Sequence, residues 1–280
     1  MNNETIIKQF VMDNQIRLDL ESLKKYKVAV RQFLEYTQKS LCTITKSDIR
    51  SWLAHLKEKG YQPSTLWSKV TALKTFFKYC LEEGITEKNP AIHVPFPRIG
   101  EKPPYYLTPE QLNRLRKHLE GRLQDRAMLE VLYATGVRIS EMCAMKKADI
   151  DWSENIIFIP KGKGKKDRIV LFTPLCAEHL KAYLDSRTDD LPYVFLSLRY
   201  KNQSIHPDTV GQWLFKKYSK SLGFRVTPHT LRHTFAAHLS RKGMPLECIQ
   251  KLLGHEVPHQ THYYARLYNQ ARKEIYDEFL

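Results

Sequence analysis

The sequence predicts a mainly α-helical protein of two domains, with one small antiparallel β-hairpin or sheet in the second. Three observations carry that expectation. Apolar residues recur at three- and four-residue steps through residues 1–90, the spacing of amphipathic helices. From 89 to 104 the text reads N-P-A-I-H-V-P-F-P-R-I-G-E-K-P-P, where five prolines and a glycine forbid a continuing helix and favour an extended path. Beyond it, β-branched runs at Ile156–Ile159 and at 169–172 flank P-K-G-K-G-K-K-D-R, the pattern of a hairpin with a basic, flexible tip. The expected division is a helical domain over 1–90, an extended linker over 91–105 and a second domain over 106–280.

Each element has its own signal. Leu23, Tyr26, Val30, Phe33 and Leu34 form one apolar stripe, predicting a helix over 20–38. Thr45 followed by Asp48 has the spacing of a capping arrangement for a second helix carrying Ile49, Trp52, Leu53 and Leu56, which ends before Gly60. Pro63 and Ser64 open a third, with Leu66, Val70, Leu73, Phe77 and Leu81 on one face and Gly84 stopping it. Thr108 followed by Pro109 reads as an N-cap with proline at the first helical position, and an apolar helix follows around 127–134. After the hairpin comes a short apolar run at 194–196, then helical patterns over 207–222, 228–242 and Leu246–Leu253.

The composition narrows the partners. Lys and Arg number 45 against 30 Asp and Glu, a net charge of +15 over 280 residues. Such an excess favours a polyanion, because each neutralised phosphate releases counterions. Tyr61, Trp67, Lys69, Lys74, Phe76, Phe77 and Lys78 mix bases with rings in a way that suits a surface tracking a nucleic-acid backbone, although Phe76 and Phe77 fit a helix core better. Cys42, Cys80, Cys143, Cys176 and Cys248 are odd in number and never form a C-x-x-C pair, so they read as reduced, core-filling side chains of a cytoplasmic protein. The opening M-N-N-E-T-I-I-K-Q-F lacks a basic region followed by an apolar block, and no segment approaches the length a bilayer requires. Secretion and membrane insertion are not expected.

The residues able to carry chemistry concentrate in 227–264, which contains T-P-H-T-L-R-H-T-F-A-A-H, L-L-G-H-E and T-H-Y-Y-A-R-L. His229 and Arg232 stand at i and i+3 of the helix opened by Pro228, so their side chains project to one side. A guanidinium is a planar fork matched to two phosphate oxygens, and an imidazole relays protons near neutral pH. His233 lies further round the helix and, with His238, reads as a packing or hydrogen-bonding residue. Gly254 is expected to end its helix and leave His255 on an exposed turn, nine positions before Tyr264 of the Tyr263-Tyr264 pair. A phenol of pKa about 10 is a poor nucleophile without cationic neighbours or a base. A second arginine, Arg138, sits in A-T-G-V-R-I-S-E where the chain must bend, and a pairing with Glu141 at i+3 is its simplest structural use. His255 to His259 also spells H-E-V-P-H, formally a zinc-protease motif. Gly254 before it and Pro258 within it break the continuous helix that motif needs, and neighbouring arginines repel a dication.

Taken in order, G-V-R-I-S-E, G-K-G-K-K-D-R, H-T-L-R-H, L-L-G-H and the following tyrosine resemble the tyrosine recombinases of the phage integrase type, most closely their Xer-like bacterial branch. The likeness spans nearly the whole chain, since the helical first domain also resembles that family's core-binding domain. It implies a two-domain clamp around double-stranded DNA, a recombination site as substrate, four protomers in a synaptic complex, and neither metal nor ATP. It further implies Tyr264 as nucleophile, Arg138 and Arg232 on the non-bridging phosphate oxygens, and His229 as general base. His255 would hydrogen-bond the phosphate and Lys163 would protonate the departing 5′-oxygen. Tyr263 competes with Tyr264, and the family spacing from His255 favours Tyr264. Lys161 and Lys165 compete with Lys163, which its place between Gly162 and Gly164 favours. The segment E-V-P-H-Q after His255 departs from the serine- and threonine-rich stretch the family leads one to expect. A tail helix over 268–279, striped by Ala271, Ile275 and Phe279, could dock on a neighbouring protomer. Accessory DNA-binding proteins are compatible partners. Other readings of the same residues are a DNA-binding regulator that keeps the fold without the reaction, and a type IB topoisomerase-like enzyme.

Overall fold

The computed structural model describes residues 2–100, 104–160, 167–197 and 203–254. It divides into two compact units, 1–102 and 103–280. Lys163 and its rival lysines, His255, the H-E-V-P-H motif, the tyrosine pair and the tail helix all lie outside the described residues.

Among its described residues the first unit has four α-helices: α1 (Asn3–Asp13), α2 (Leu20–Thr37), α3 (Lys46–Glu58) and α4 (Pro63–Glu82). Their starts follow from local chemistry. The Asp19 carboxylate accepts the Ser22 N–H, Thr45 and Asp48 form a reciprocal capping box, and Pro63 occupies the first turn of α4, where no N–H is needed. The core is aromatic: Phe33 meets Trp52 edge-on at 5.3 Å, and Phe10 of α1 meets Phe76 at 5.4 Å. Phe76 and Phe77 are fully buried, as core residues should be. Leu81, expected on the buried face of α4, is exposed, and Cys80 takes the inward place. Ala91 and Val94 are also buried in this core, so the proline-rich stretch begins by covering it.

The second unit is organised around α6 (Leu123–Thr135), which is buried along most of its length. Helices α8 (Pro174–Asp185) and α10 (Pro228–Arg241) pack on it. Before it, α5 (Pro109–His118) starts with a capping box between Thr108 and Gln111. Within α6, Glu130 is 1% exposed and is neutralised by Arg116 at 2.7 Å and Arg126 at 2.9 Å. After the short α7 (Ile139–Ala144) come β1 (Ile150–Asp151), β2 (Ile156–Ile159) and β3 (Arg168–Leu171), an antiparallel sheet in that order. Ile157 pairs with Val170 facing the core, while Phe158 and Ile169 pair on the exposed face, the period-two alternation of a one-sided sheet.

Beside the apolar run at 194–196, Tyr193 and Leu196 make isolated bridges to Lys146 and Ser204. A sequence expectation is corrected next to it. The 207–222 pattern is not one regular helix but a π-helical turn, Thr209–Leu214, leading into α9 (Phe215–Leu222). The chain then enters α10 and closes the described part with α11 (Leu246–Leu253). All five cysteines are free thiols, but only Cys80, Cys143 and Cys176 fill core positions, and Cys42 and Cys248 are exposed. Among the described residues no helix is long and apolar enough to cross a membrane.

Candidate active site

Helix α6 ends at Gly136, whose φ of +61° is the left-handed conformation that terminates helices. No other residue fits, because an added Cβ would lie 2.5 Å from Cδ1 of Phe235 on α10. The turn delivers Arg138 to the N-cap of α7. There its backbone N–H donates to Glu141 Oε2 at 2.7 Å, and its Nη1 donates to Oε1 at 3.0 Å. The expected pairing with Glu141 therefore exists, yet the Arg138 side chain stays 40% exposed and able to meet a ligand.

Helix α10 supplies the second arginine. Thr227 caps it by accepting the Thr230 N–H, which leaves His229 in the first turn on the open surface and Arg232 buried one turn later at 7% exposure. Nη2 of Arg232 donates to the Leu253 carbonyl at 2.7 Å, and Nη1 donates to the Gly136 carbonyl. Arg138 reaches the next carbonyl, that of Gly254, through Nη2 at 3.4 Å. The preceding one, Leu252, accepts from Nε of Arg168 at 3.2 Å. Three arginines from three different elements thus converge on three consecutive carbonyls at the carboxyl end of α11. That end carries partial negative charge and unpaired acceptors, so it attracts cations.

Glu141 balances this cluster. Burial pushes its carboxyl up, but paired hydrogen bonds from Arg168, the Arg138 N–H and both guanidinium charges outweigh burial and hold it at about 2. His229 is shifted the other way. Partial burial of the ring, then the charges of Arg232, Arg138 and Arg225, lower its pKa and keep it neutral at pH 7. A neutral imidazole can accept a proton. Burial, with His229, Arg232 and Arg225, pushes His233 down to about 4. His238 is a structural residue, as its position suggested. Its Nε2–H donates to the Leu107 carbonyl at 3.0 Å, and its Nδ1 accepts the Tyr133 hydroxyl at 3.0 Å.

Of the six residues singled out in the sequence, the described part brings Arg138, His229 and Arg232 to one place. Gly254, in the left-handed region at φ +63°, ends α11 as expected and directly precedes His255. Arg168, at the start of β3, directly follows the segment that contains Lys163. These two exits are adjacent, since a Cβ on Gly254 would stand 3.0 Å from Cδ of Arg168.

The arginines gathered beside a neutral histidine stand in the motif order noted in the sequence, and the comparison with known proteins agrees with it. Residues 105–271 match the phage integrase family, and residues 14–87 match the phage integrase N-terminal SAM-like domain. The chain is a tyrosine recombinase of the phage integrase family. It is 34% identical over 279 residues to the tyrosine recombinase XerA of Pyrococcus furiosus, across 98% of this chain and 95% of that protein. It is 33% identical to the tyrosine recombinase XerC of Staphylococcus aureus, across 91% and 89%. Among solved structures it resembles the crystal structure of XerA recombinase, with 31% identity, 98% coverage of both chains and a TM-score of 0.56. A lambda integrase dimer bound to a core site shares the fold at 18% identity, covering 94% and 95%, with a TM-score of 0.76.

The sequence reading missed two members of this arginine cluster, Glu141 and Arg168. Glu141 was visible only as an i+3 partner for Arg138. Arg168 was visible only as the last letter of G-K-G-K-K-D-R, because its acceptor at Leu252 lies 84 positions away.

Proposed function

We propose that the protein is a site-specific DNA recombinase that cleaves and rejoins strands through a 3′-phosphotyrosine intermediate. The Tyr264 oxygen attacks the scissile phosphorus and its proton passes to His229. The bond to the 5′-oxygen breaks, and Lys163 supplies the proton that makes a 5′-hydroxyl. A 5′-hydroxyl of the partner strand then attacks the phosphotyrosine and releases Tyr264, so the phosphodiester count is unchanged and no external energy source enters. Arg138 and Arg232 stabilise charge on the non-bridging oxygens, and His255 adds a hydrogen bond.

The observation that carries this reading is the arginine pair on consecutive carbonyls of α11, with a neutral His229 beside it. Such fixed donors stabilise developing charge at little reorganisation cost. In the first unit, a depression between α2 and α4 lined by Lys24, Lys25, Ser64, Thr65, Trp67 and Ser68 suits a phosphate backbone. Lys69 plays another part there, because it is buried, donates to Gln32 and lies over the Trp52 ring.

We assign residues 1–90 to the core-binding domain, 91–105 to the linker and 106–280 to the catalytic domain. The working assembly is a homotetramer on two duplexes, joined through the 268–279 helix, with accessory DNA-binding proteins compatible. The protein would act in the cytoplasm, on the nucleoid. Integration and excision, dimer resolution and resolution of transposition intermediates all suit this chemistry.

The test is a nicked duplex that traps cleavage. Wild type and Tyr263→Phe should form a covalent adduct and Tyr264→Phe should not, whereas no adduct with wild type overturns the reading. Exchange between two marked duplexes then separates a recombinase from a type IB topoisomerase-like enzyme. A chain cut after Arg266 should fail to assemble normally on DNA.

A further inference from the structure

We propose that the face between α2 and α4 selects thymine in duplex DNA, taking the 5-methyl group of the base into an apolar depression instead of hydrogen-bonding the base edge. This rests on the DNA-binding reading above and deepens it, from a surface that grips phosphates to one that reads sequence.

The depression has a basic rim. Lys24 and Lys25 of α2 are exposed on it, and no carboxylate lines it. Lys25 makes only a loose surface pair with Glu21 at 3.7 Å, so both ammonium groups are available to phosphates. Such contacts set a duplex in register and carry no sequence information.

Inside the rim, the polar groups are already engaged. The Ser68 hydroxyl donates to the Ser64 carbonyl at 3.1 Å, and the Thr71 hydroxyl donates to the Trp67 carbonyl at 3.0 Å, both bonds within α4 itself. Lys69 is turned into the core, where its Nζ donates to Gln32 and lies 5.4 and 5.5 Å from the ring centroids of Trp52 and Tyr61. What faces the opening is apolar: Val28 is 51% exposed, Trp67 is 40% exposed, and the methyl group is the free branch of Thr71. Trp67 forms a fixed wall, because its ring stacks on Phe96 at 4.8 Å and Phe96 in turn lies 4.5 Å from Nζ of Lys74.

That combination suits one base. In the major groove guanine presents acceptors, while adenine and cytosine present exocyclic amines, and each of these loses its water without gaining a partner against Val28 and Trp67. Thymine alone presents a methyl group, which needs only apolar contact.

Duplexes selected from a random-sequence pool by the full-length protein provide the probe. Each thymine in turn is replaced with uracil, which pairs alike and lacks only the methyl group. At one or more positions wild-type affinity should fall about fourfold, the scale of one buried methyl group. The double variant Val28→Ala with Thr71→Ser keeps every charge and hydroxyl, and it should bind thymine and uracil duplexes alike. Lys24→Ala and Lys25→Ala should weaken both duplexes equally and flatten the salt dependence. Indifference of wild type to uracil at every position overturns the proposal, as does a uracil penalty that persists in the double variant. Lysine variants that bind DNA like wild type also overturn it, and would show that this face meets a different partner. Covalent trapping on the same duplexes separates the two readings. A wild-type adduct without any methyl effect sinks thymine selection alone, whereas failure to select or bind any duplex sinks both. Urea unfolding checks the double variant, and if it unfolds, either single substitution takes its place, with the uracil penalty reduced.

Discussion

The guanidinium of Arg232 donates to the carbonyl oxygen of Leu253 at 2.7 Å, tying the start of α10 to the last turn of α11. Its other arm holds the Gly136 carbonyl, so one side chain pins two helix ends. Arg232→Lys keeps the charge and loses the fork. Single-turnover cleavage should fall by about 10²–10³, as for loss of one oriented donor to a charged transition state, with DNA binding little changed. A rate close to wild type would show that charge alone suffices.

Gly136→Ala should destabilise the catalytic unit by about 2–4 kcal/mol, combining a left-handed backbone penalty with overpacking against Phe235. Urea unfolding measures it. Combining it with Phe235→Leu should recover part of the loss, and an unchanged midpoint for Gly136→Ala would mean that the turn relaxes freely.

The cleavage rate should keep its neutral-pH value down to below the ordinary histidine range. A general base works when deprotonated, and the lowered pKa of His229 extends that state to lower pH. In a pH profile of single-turnover cleavage, the acid limb should have its midpoint below about 6.5, the unperturbed histidine value. A midpoint above that value would remove His229 as the base. Arg225→Ala, which takes away one nearby charge, should move the limb upward.

His233 links the same environment to stability. Its folded pKa of about 4 lies below the unfolded value, so the folded state binds fewer protons. Its contribution is complete above about pH 6.5 and is lost progressively as the pH falls toward 4. Melting temperatures recorded from pH 7 to 4.5 should fall more steeply for wild type than for His233→Asn. Parallel curves would contradict this account.

Glu130→Gln should cost about 3–5 kcal/mol, because it leaves the Arg116 and Arg126 charges facing a neutral amide in a buried place. Urea unfolding measures this too, and a loss under about 1 kcal/mol would mean that water reaches both guanidinium groups. Cleavage by the remaining folded fraction should be unaffected.

What the sequence made legible were features with local causes. The Thr45 and Thr108 caps, the Pro63 start and the bounds of α11 each depend on neighbours a few positions away. Helix α8 opens on the same kind of signal, Thr173 before Pro174, which the sequence reading did not use, whereas α1 is held mainly by the packing of Ile6, Ile7 and Phe10. The π turn before α9 left no trace either, since it keeps a helix-like apolar spacing. In the site, Arg138, His229 and Arg232 stood out because motif order reveals chemistry. Glu141 and Arg168 did not, since a bond to a distant carbonyl or carboxylate writes nothing into nearby residues.

The grip of three arginines on α11 has a mutational consequence. Its acceptors are main-chain oxygens, present whatever side chains stand at 252 to 254, so substitution there cannot delete them. The vulnerable points move instead to residues that make no polar side-chain contact at all. Gly254 closes the run of those oxygens and Gly136 offers Arg232 a further one, and a methyl group at either position would press on Arg168 or on Phe235 and so threaten the site from outside its chemistry.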